Sequence, residues 1–355
     1  MLITNKTMEK ITIKAAKPYD ILIEAGLLRR AGEILKDVLQ PCKICVVTDS
    51  NVAELYASTL LISLTEGGYE PCVFRFEAGE EHKTTATVND LVEYMARKGL
   101  TRSDAVVALG GGVTGDIAGF AASIYMRGIR YVQVPTSLLA CLDSSVGGKT
   151  GANLAAGKNF VGSFWQPCMV ICDYSLLETL PHEYYLDGIA EAVKCGAIMD
   201  AELFAYLGNV SPEARRIIKK CVEIKAGIVE KDEREEGIRA ILNFGHTIGH
   251  AIEKCSEYTI SHGHAIAIGM VVISRAAYHK GLCRENFSIP IGNLLTRYGL
   301  PVSSPFNAGD LAEAVLADKK RNGSYSKIIV LDRIGQARTE EISVTAMRDF
   351  IAAGL

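Results

Sequence analysis

Long apolar runs are missing from this chain. The longest, Ala265 to Ile273, is about half of what a helix needs to cross a bilayer. An excess of one charge is missing too: Lys plus Arg is 38 and Asp plus Glu is 41, a formal net charge of -3 over 355 residues. Such a chain has no global field to recruit nucleic acid or an anionic membrane, so any anion site is a local cluster. The first residues, MLITNKTMEK, lack an apolar core and a small-residue cleavage site, which predicts no secretory signal. A disulfide framework is lacking as well. Ten cysteines are scattered along the chain, and the one CxxC, Cys42 and Cys45, has no second pair and runs into the apolar stretch ICVV. Reduced thiols in a cytoplasmic protein are expected, most of them filling core. Internal repeats and low-complexity segments are absent.

What is present is ordinary for a folded protein: 48% apolar and 22% charged residues. The length predicts two domains. In the first half, short β-rich runs alternate with helical patterns. Strands are predicted at Ile44–Thr48, Glu70–Phe76, Ala105–Leu109 and Tyr131–Val134, with helices from about Val52 to Gly67 and Thr87 to Gly99. This alternation implies a parallel sheet covered by helices. From about Ser175 helical periodicity dominates, as in Glu183–Met199, Pro212–Lys231, Phe244–Cys255 and His264–Lys280. The mixed-sign run Glu230–Glu236 reads as a solvated helix end. The boundary is expected near residues 172–180, giving an α/β Rossmann-like domain over 1–175 and a mainly α-helical domain over 176–355.

Glycine is in excess, 33 residues, and it clusters. Residues 105–128 read AVVALGGGVTGDIAGFAASIYMRG. Gly110, Gly112 and Gly115 satisfy G-x-G-x-x-G, with a strand before and a helix after. Such a turn lets backbone approach a pyrophosphate at a helix N-terminus. The acid usually found about 20 residues further on, for a ribose hydroxyl, is missing. Asp49, closing the strand ICVVT, is a candidate to replace it, which implies a strand order unlike that of the usual dehydrogenases. VGGKTG is no phosphate loop, because Asp143 stands where that loop needs its first glycine.

Four of seven histidines lie between 246 and 264. His246 and His250 share a helix face, and His262 and His264 flank Gly263. A lone histidine is usually a core or surface residue; four this close favour a metal such as zinc. Spacing does not say which of the four bind it, and it is not H-E-x-x-H, so a metalloprotease base is absent. Glu191, in GIAEAVKCG, is a candidate carboxylate ligand. Arg127, Lys149, Lys158, Lys194, Lys225 and Arg239 stand outside charge runs, and Lys149 and Lys158 sit among glycines. Together these features suggest a small phosphorylated polyanion as substrate.

The stretches GEEHK (79–83), GGGVTGDIAGFAASIYMRG (110–128), VPTSLLACLDSSVGGKTGANLAAGKNFVGSFWQP (134–167), GIAEAVK (188–194), LNFGHTIGHAIE (242–253), HGHAIAIGM (262–270) and DKK (318–320) resemble the 3-dehydroquinate synthase family of sugar phosphate cyclases. The resemblance runs from about Asp49 to Lys320 and implies a dehydroquinate synthase-like fold. It implies a carbon–oxygen lyase acting on 3-deoxy-D-arabino-heptulosonate 7-phosphate, with NAD and zinc (or cobalt) as cofactors, working as a cytoplasmic homodimer in aromatic amino acid biosynthesis. By resemblance, Glu191, His246 and His262 hold the metal. His250 then supports a ligand or touches substrate, together with Asp143, Lys149, Asn159, Lys194, Lys225, Arg239, Asn243 and Lys319. Arg127 binds phosphate across the dimer interface. Asp49, Glu80, Lys83, Gly111, Gly112, Asp116, Thr136, Ser137, Lys158 and Thr179 match NAD-contacting positions. The chain departs from the family at His264, usually Glu, at Cys141, usually Gln, at Ser137, usually Thr, and at Ala156, usually Pro. Three rivals remain at this stage: another sugar-phosphate cyclase; a polyol dehydrogenase of the glycerol dehydrogenase type, which would release NADH in step with substrate; and a non-catalytic nucleotide-binding regulator, which leaves the Glu and His set unexplained.

Overall fold

Seven strands form one sheet in the computed structural model, which describes residues 8–319 and 324–355, leaving aside the side chains of 317–319. They are β1 (Glu9–Ile13), β2 (Tyr19–Glu24), β3 (Lys43–Asp49), β4 (Glu70–Phe76), β5 (Ala105–Gly110), β6 (Arg130–Pro135) and β9 (Met169–Asp173). The order is β1-β2-β9-β6-β5-β3-β4, and every neighbouring pair is parallel except β1 with β2. The run ICVV explains why. Ile44 and Val46 pack into the core on one face of the sheet, Cys45 and Val47 into the core on the other. With both faces covered, a strand is continuously apolar instead of alternating. Strand β3 leads to β4 on one side, while β5 leads to β6 on the other. The chain therefore leaves two adjacent strands in opposite directions, and the crevice at their carboxyl ends, beside Asp49 and Gly110, is where open α/β sheets bind ligands.

The chain divides into two compact units: Met1–Pro181 with Lys225–Arg234, and His182–Ile224 with Glu235–Leu355. The first contains the sheet and a hairpin, β7 (Lys149–Leu154) with β8 (Gly157–Phe164). In that hairpin a Cβ on Gly162 would lie 2.1 Å from the Thr150 carbonyl oxygen, so the strands meet only because glycine stands there. The second unit is built on helices His182–Met199, His246–Cys255 and His262–His279. It also carries a hairpin that helical periodicity did not predict, β10 (Tyr325–Arg333) with β11 (Gln336–Ser343). Among the described residues no helix is long and apolar enough to cross a membrane.

Two helices of the second unit touch at Gly263. A Cβ there would come within 2.2 Å of the Asp187 Cα and 2.6 Å of its carbonyl oxygen. Backbone cannot yield as a side chain can. Gly263→Ala is expected to destabilise the protein by about 1–3 kcal/mol through overpacking, and to weaken metal binding by spreading the two helices. Urea denaturation and a metal titration check both; wild-type values would mean that the helices do not pack this closely.

Candidate metal centre and dinucleotide turn

Glu191 lies in the third turn of the His182–Met199 helix and has no solvent exposure. His246 opens the His246–Cys255 helix, behind Gly245 at φ 81°, a left-handed conformation that suits glycine. His262 opens the His262–His279 helix. Their Nε2 atoms converge on Glu191 Oε1, at 3.7 Å from His246 and 3.4 Å from His262. Ligands about 2.1 Å from a tetrahedral zinc stand about 3.4 Å apart, so the triangle has the right size. The carboxylate also fits: neither Glu191 oxygen accepts a hydrogen bond, although the Lys194 ammonium lies against Oε2 as an ion pair. Oε1, which accepts no hydrogen bond and faces both imidazole nitrogens, is the oxygen open to a metal.

The electrostatics fit as well. Burial alone would raise the Glu191 pKa, but the Lys194 charge and the two histidine rings outweigh it and hold the carboxyl well below its ordinary range. Burial, with Lys194 beside it, presses His246 well below its usual value, which keeps the ring neutral. Its Nδ1 faces the Phe244 carbonyl at 3.2 Å, an acceptor that fixes the proton there and leaves Nε2 free to bind. His262 differs. Burial disfavours its charged form, but the Glu191 and Glu253 carboxylates overcome this and raise its pKa to about 10. A metal entering here displaces that proton.

The other two histidines separate. The His250 side chain is 53% exposed, with its ring centroid 5.3 Å from that of His246. His264 is turned away from the triangle: its Nδ1 lies 2.9 Å from Asp187 Oδ1 and 2.7 Å from Ser261 Oγ, and its backbone N–H also donates to Asp187. His264 therefore ties the start of its helix to the Glu191 helix instead of competing for metal. Among the described residues a second group also has metal-ligand spacing, His250, Glu253 and His262.

In the first unit, β5 ends in the glycine turn and the Gly112–Ile124 helix starts without a side-chain cap, leaving its first N–H groups for an anion. Cβ atoms on Gly111 and Gly112 would sit 3.4 Å from Ser137 Oγ and 3.2 Å from Ser144 Oγ, a close-fitting floor. The Asp49 carboxylate, at the end of the adjacent strand, accepts from the Asn51 and Val52 N–H groups and from the Thr114 hydroxyl. Nearby in the same unit, the buried Lys83 bridges Asp116 at 2.5 Å and Asn159 Oδ1 at 2.6 Å. Burial keeps the Asp116 pKa above its ordinary value despite that lysine. Glu80 Oε1 accepts from the Asn153 amide and lies 3.9 Å from Lys158. The Thr136 N–H donates to the Gly110 carbonyl, and the Thr179 hydroxyl lies 2.5 Å from that of Tyr56.

Lys225 belongs to the first unit, where it donates to the Asp143 carbonyl at 2.6 Å and carboxylate at 2.7 Å. Lys149 is exposed at the start of β7. In the second unit Arg239 is buried, and Asn243 donates to Glu235 at 2.8 Å. Arg127 sits in a strained turn, with φ values of 50°, 68° and 111° at Met126, Arg127 and Gly128. Lys319 ends the Ala308–Lys319 helix, and its side chain lies outside the described residues. Sequence reasoning assigned no role to Glu253 or Asp187, both buried carboxylates against the histidine cluster. Glu253 was within reach, being three residues after His250 and seven after His246 on one helix face.

The family model for the N-terminal part of 3-dehydroquinate synthase matches residues 73–187, and that for its C-terminal part matches residues 188–321. A 3-dehydroquinate synthase of Streptococcus mutans serotype c (strain ATCC 700610 / UA159) is 44% identical over 344 residues, covering 94% of this chain and 97% of the relative. Among solved structures, a 2-deoxy-scyllo-inosose synthase complexed with carbaglucose-6-phosphate, NAD+ and Co2+ superposes with a TM-score of 0.86 at 27% identity, covering 98% of this chain and 100% of that one. A 2-epi-5-epi-valiolone synthase from Streptomyces hygroscopicus subsp. jinggangensis 5008, with NAD+ and Zn2+ bound, gives a TM-score of 0.85 at 28% identity, covering 94% and 95%.

Proposed function

Because this chain belongs to the 3-dehydroquinate synthase family, we propose that it carries out the family's whole conversion, from 3-deoxy-D-arabino-heptulosonate 7-phosphate to 3-dehydroquinate and phosphate, with NAD on its first unit and a divalent metal on its second. The protein is a carbon–oxygen lyase acting on a phosphate ester, and its place is in aromatic amino acid biosynthesis. The other cyclases share its fold at much lower identity, which favours the dehydroquinate synthase reaction over theirs.

The observation that carries the reading is the convergence of Glu191, His246 and His262, whose ligand atoms lie within 4.8 Å of one another, on a buried carboxylate that accepts no hydrogen bond. NAD held on the first unit would supply a reversible hydride acceptor, and a metal held by Glu191, His246 and His262 would supply a Lewis acid. The chain's own side chains hold the substrate. Lys194, buried beside Glu191, and the buried Arg239 offer fixed positive charge in a dry setting, where it acts strongly on carboxylate and phosphate. Asn243, held by Glu235, offers an oriented amide. By the family resemblance Lys225, pinned by Asp143, and the exposed Lys149 are also assigned to the substrate.

A homodimer is part of the proposal. The strained turn at Met126–Gly128 is backed by the exposed apolar side chains Ile124 and Met126. Strain of this kind persists where a binding partner uses it, which fits an Arg127 that reaches a neighbouring subunit. Ten free cysteines support a cytoplasmic setting.

Metal-loaded protein given the heptulosonate phosphate and a trace of NAD tests the reaction. Phosphate should appear in large excess over NAD, with no lasting absorbance at the nicotinamide band. NADH accumulating in step with substrate, without phosphate, would instead mark a polyol dehydrogenase.

A further inference from the structure

We propose that Glu253 positions His262 for metal binding by accepting its Nδ1 proton, which turns Nε2 toward Glu191. The inference rests on the metal site proposed above. Glu253 Oε2 lies 3.4 Å from His262 Nδ1, on the opposite side of the ring from Glu191. The residue is 3% exposed. A carboxylate so buried is costly unless a hydrogen bond or a charge compensates it, and the ring nitrogen opposite is a donor whenever Nε2 serves as a ligand.

The two histidine ligands thus have different anchors. His246 is anchored by a main-chain carbonyl and His262 by a carboxylate. A carboxylate behind the ring fixes its tautomer and makes the far nitrogen a stronger donor, so His262 is the tighter of the two ligands. Glu253 also adjusts the charge balance. Once the metal has displaced the His262 proton, Glu191 and Lys194 nearly cancel and the second carboxylate leaves the site net negative toward a dication. The location follows from sequence: Glu253 lies two turns along the helix that His246 opens, on the same face. A second arrangement is available to the same atoms, in which Glu253 is itself a ligand with His250 and His262.

Cobalt titration of the metal-free protein, followed by visible absorption and by release to a chelator, distinguishes these roles. Glu253→Ala is expected to weaken cobalt binding by about 10–100-fold while keeping one site and the wild-type band shape. Glu253→Gln keeps an oxygen to accept the same proton and should recover part of the loss. His250→Ala should keep one cobalt site with the wild-type band shape and lose less affinity than Glu253→Ala. Wild-type affinity and release rate in both Glu253 variants would overturn the proposal. So would an altered band in Glu253→Ala together with an equal loss in His250→Ala, which would make Glu253 a ligand. If Glu253→Ala fails to fold, Glu253→Gln decides alone: release faster than wild type supports the positioning role, and an unchanged rate refutes it. His246→Ala serves as control. Stoichiometric cobalt in that variant would sink the metal site itself, whereas its loss beside an unaffected Glu253 pair would sink only the role of Glu253.

Discussion

His246→Ala should yield a folded protein that holds no stoichiometric metal and turns over at least about a thousandfold more slowly. The size follows from what is lost. A catalytic metal has three protein ligands, and removing one leaves Glu191 and His262, too few to retain it at micromolar concentration. The Lewis acid then goes, and with it several kcal/mol of charge stabilisation, at about 1.4 kcal/mol for each tenfold in rate. Folding should survive, because Lys194 and His262 still face Glu191 when the metal is gone. Metal analysis, phosphate release and a denaturation curve test the three parts separately. A variant with one zinc per chain and a near-normal rate would remove His246 from the ligand set.

The parts of this molecule that could be read in advance were those in which local pattern and tertiary role agree. Strand Glu70–Phe76 has the predicted bounds, and β3, β5 and β6 extend theirs by a residue or two. A helix expected from Thr87 to Gly99 runs Thr85–Arg97, because Thr84 caps it by accepting from the Thr87 N–H. The helix expected from Val52 starts at Ser50 and widens into a π turn at Ala53–Ala57 before Ser58–Glu66. The β7–β8 hairpin was not legible. Its glycines and half-exposed residues hide the alternation that marks a strand, and its closeness is set by Gly151 and Gly162 facing each other.

The site divides along the same line. Spacing alone gathered four histidines and could not choose among them, since the choice depends on a contact that is distant in sequence. His264 is committed to Asp187, 77 residues earlier, so of that pair it is His262 that reaches Glu191. The missing ribose acid has a related explanation. The strand that follows the turn, β6, does lie beside β5, but it runs out through Pro135 and Thr136 without an acid; the acid beside the turn is Asp49, at the end of β3 on the other side of β5. Sheet order, not local spacing, brings them together.

Lys194 allows metal binding and turnover to be separated, and in Lys194→Met they should move in opposite directions. Lys194 is 1% exposed, three residues from Glu191, and its ammonium occupies one oxygen of the carboxylate that the metal needs. It is both a competitor for that oxygen and a positive charge beside a dication. Methionine keeps the length and packing of the side chain without the charge. Without metal, the variant leaves Glu191 buried and short of its cation, a defect that costs about 3–5 kcal/mol when one partner of a buried pair is removed. Metal then supplies the missing positive charge, so the variant should gain more stability from zinc than the wild type does, and should bind cobalt at least as tightly. Turnover should nevertheless fall by about 100–1,000-fold, the usual loss for one preorganised charged or hydrogen-bonding group aimed at the reacting oxygens. Thermal unfolding with and without metal, a cobalt titration and phosphate release measure the three quantities. If Lys194→Met lost its metal as a ligand variant does, Lys194 would be supporting the site and not opposing it. If it kept its rate, the cation would have no part in holding substrate.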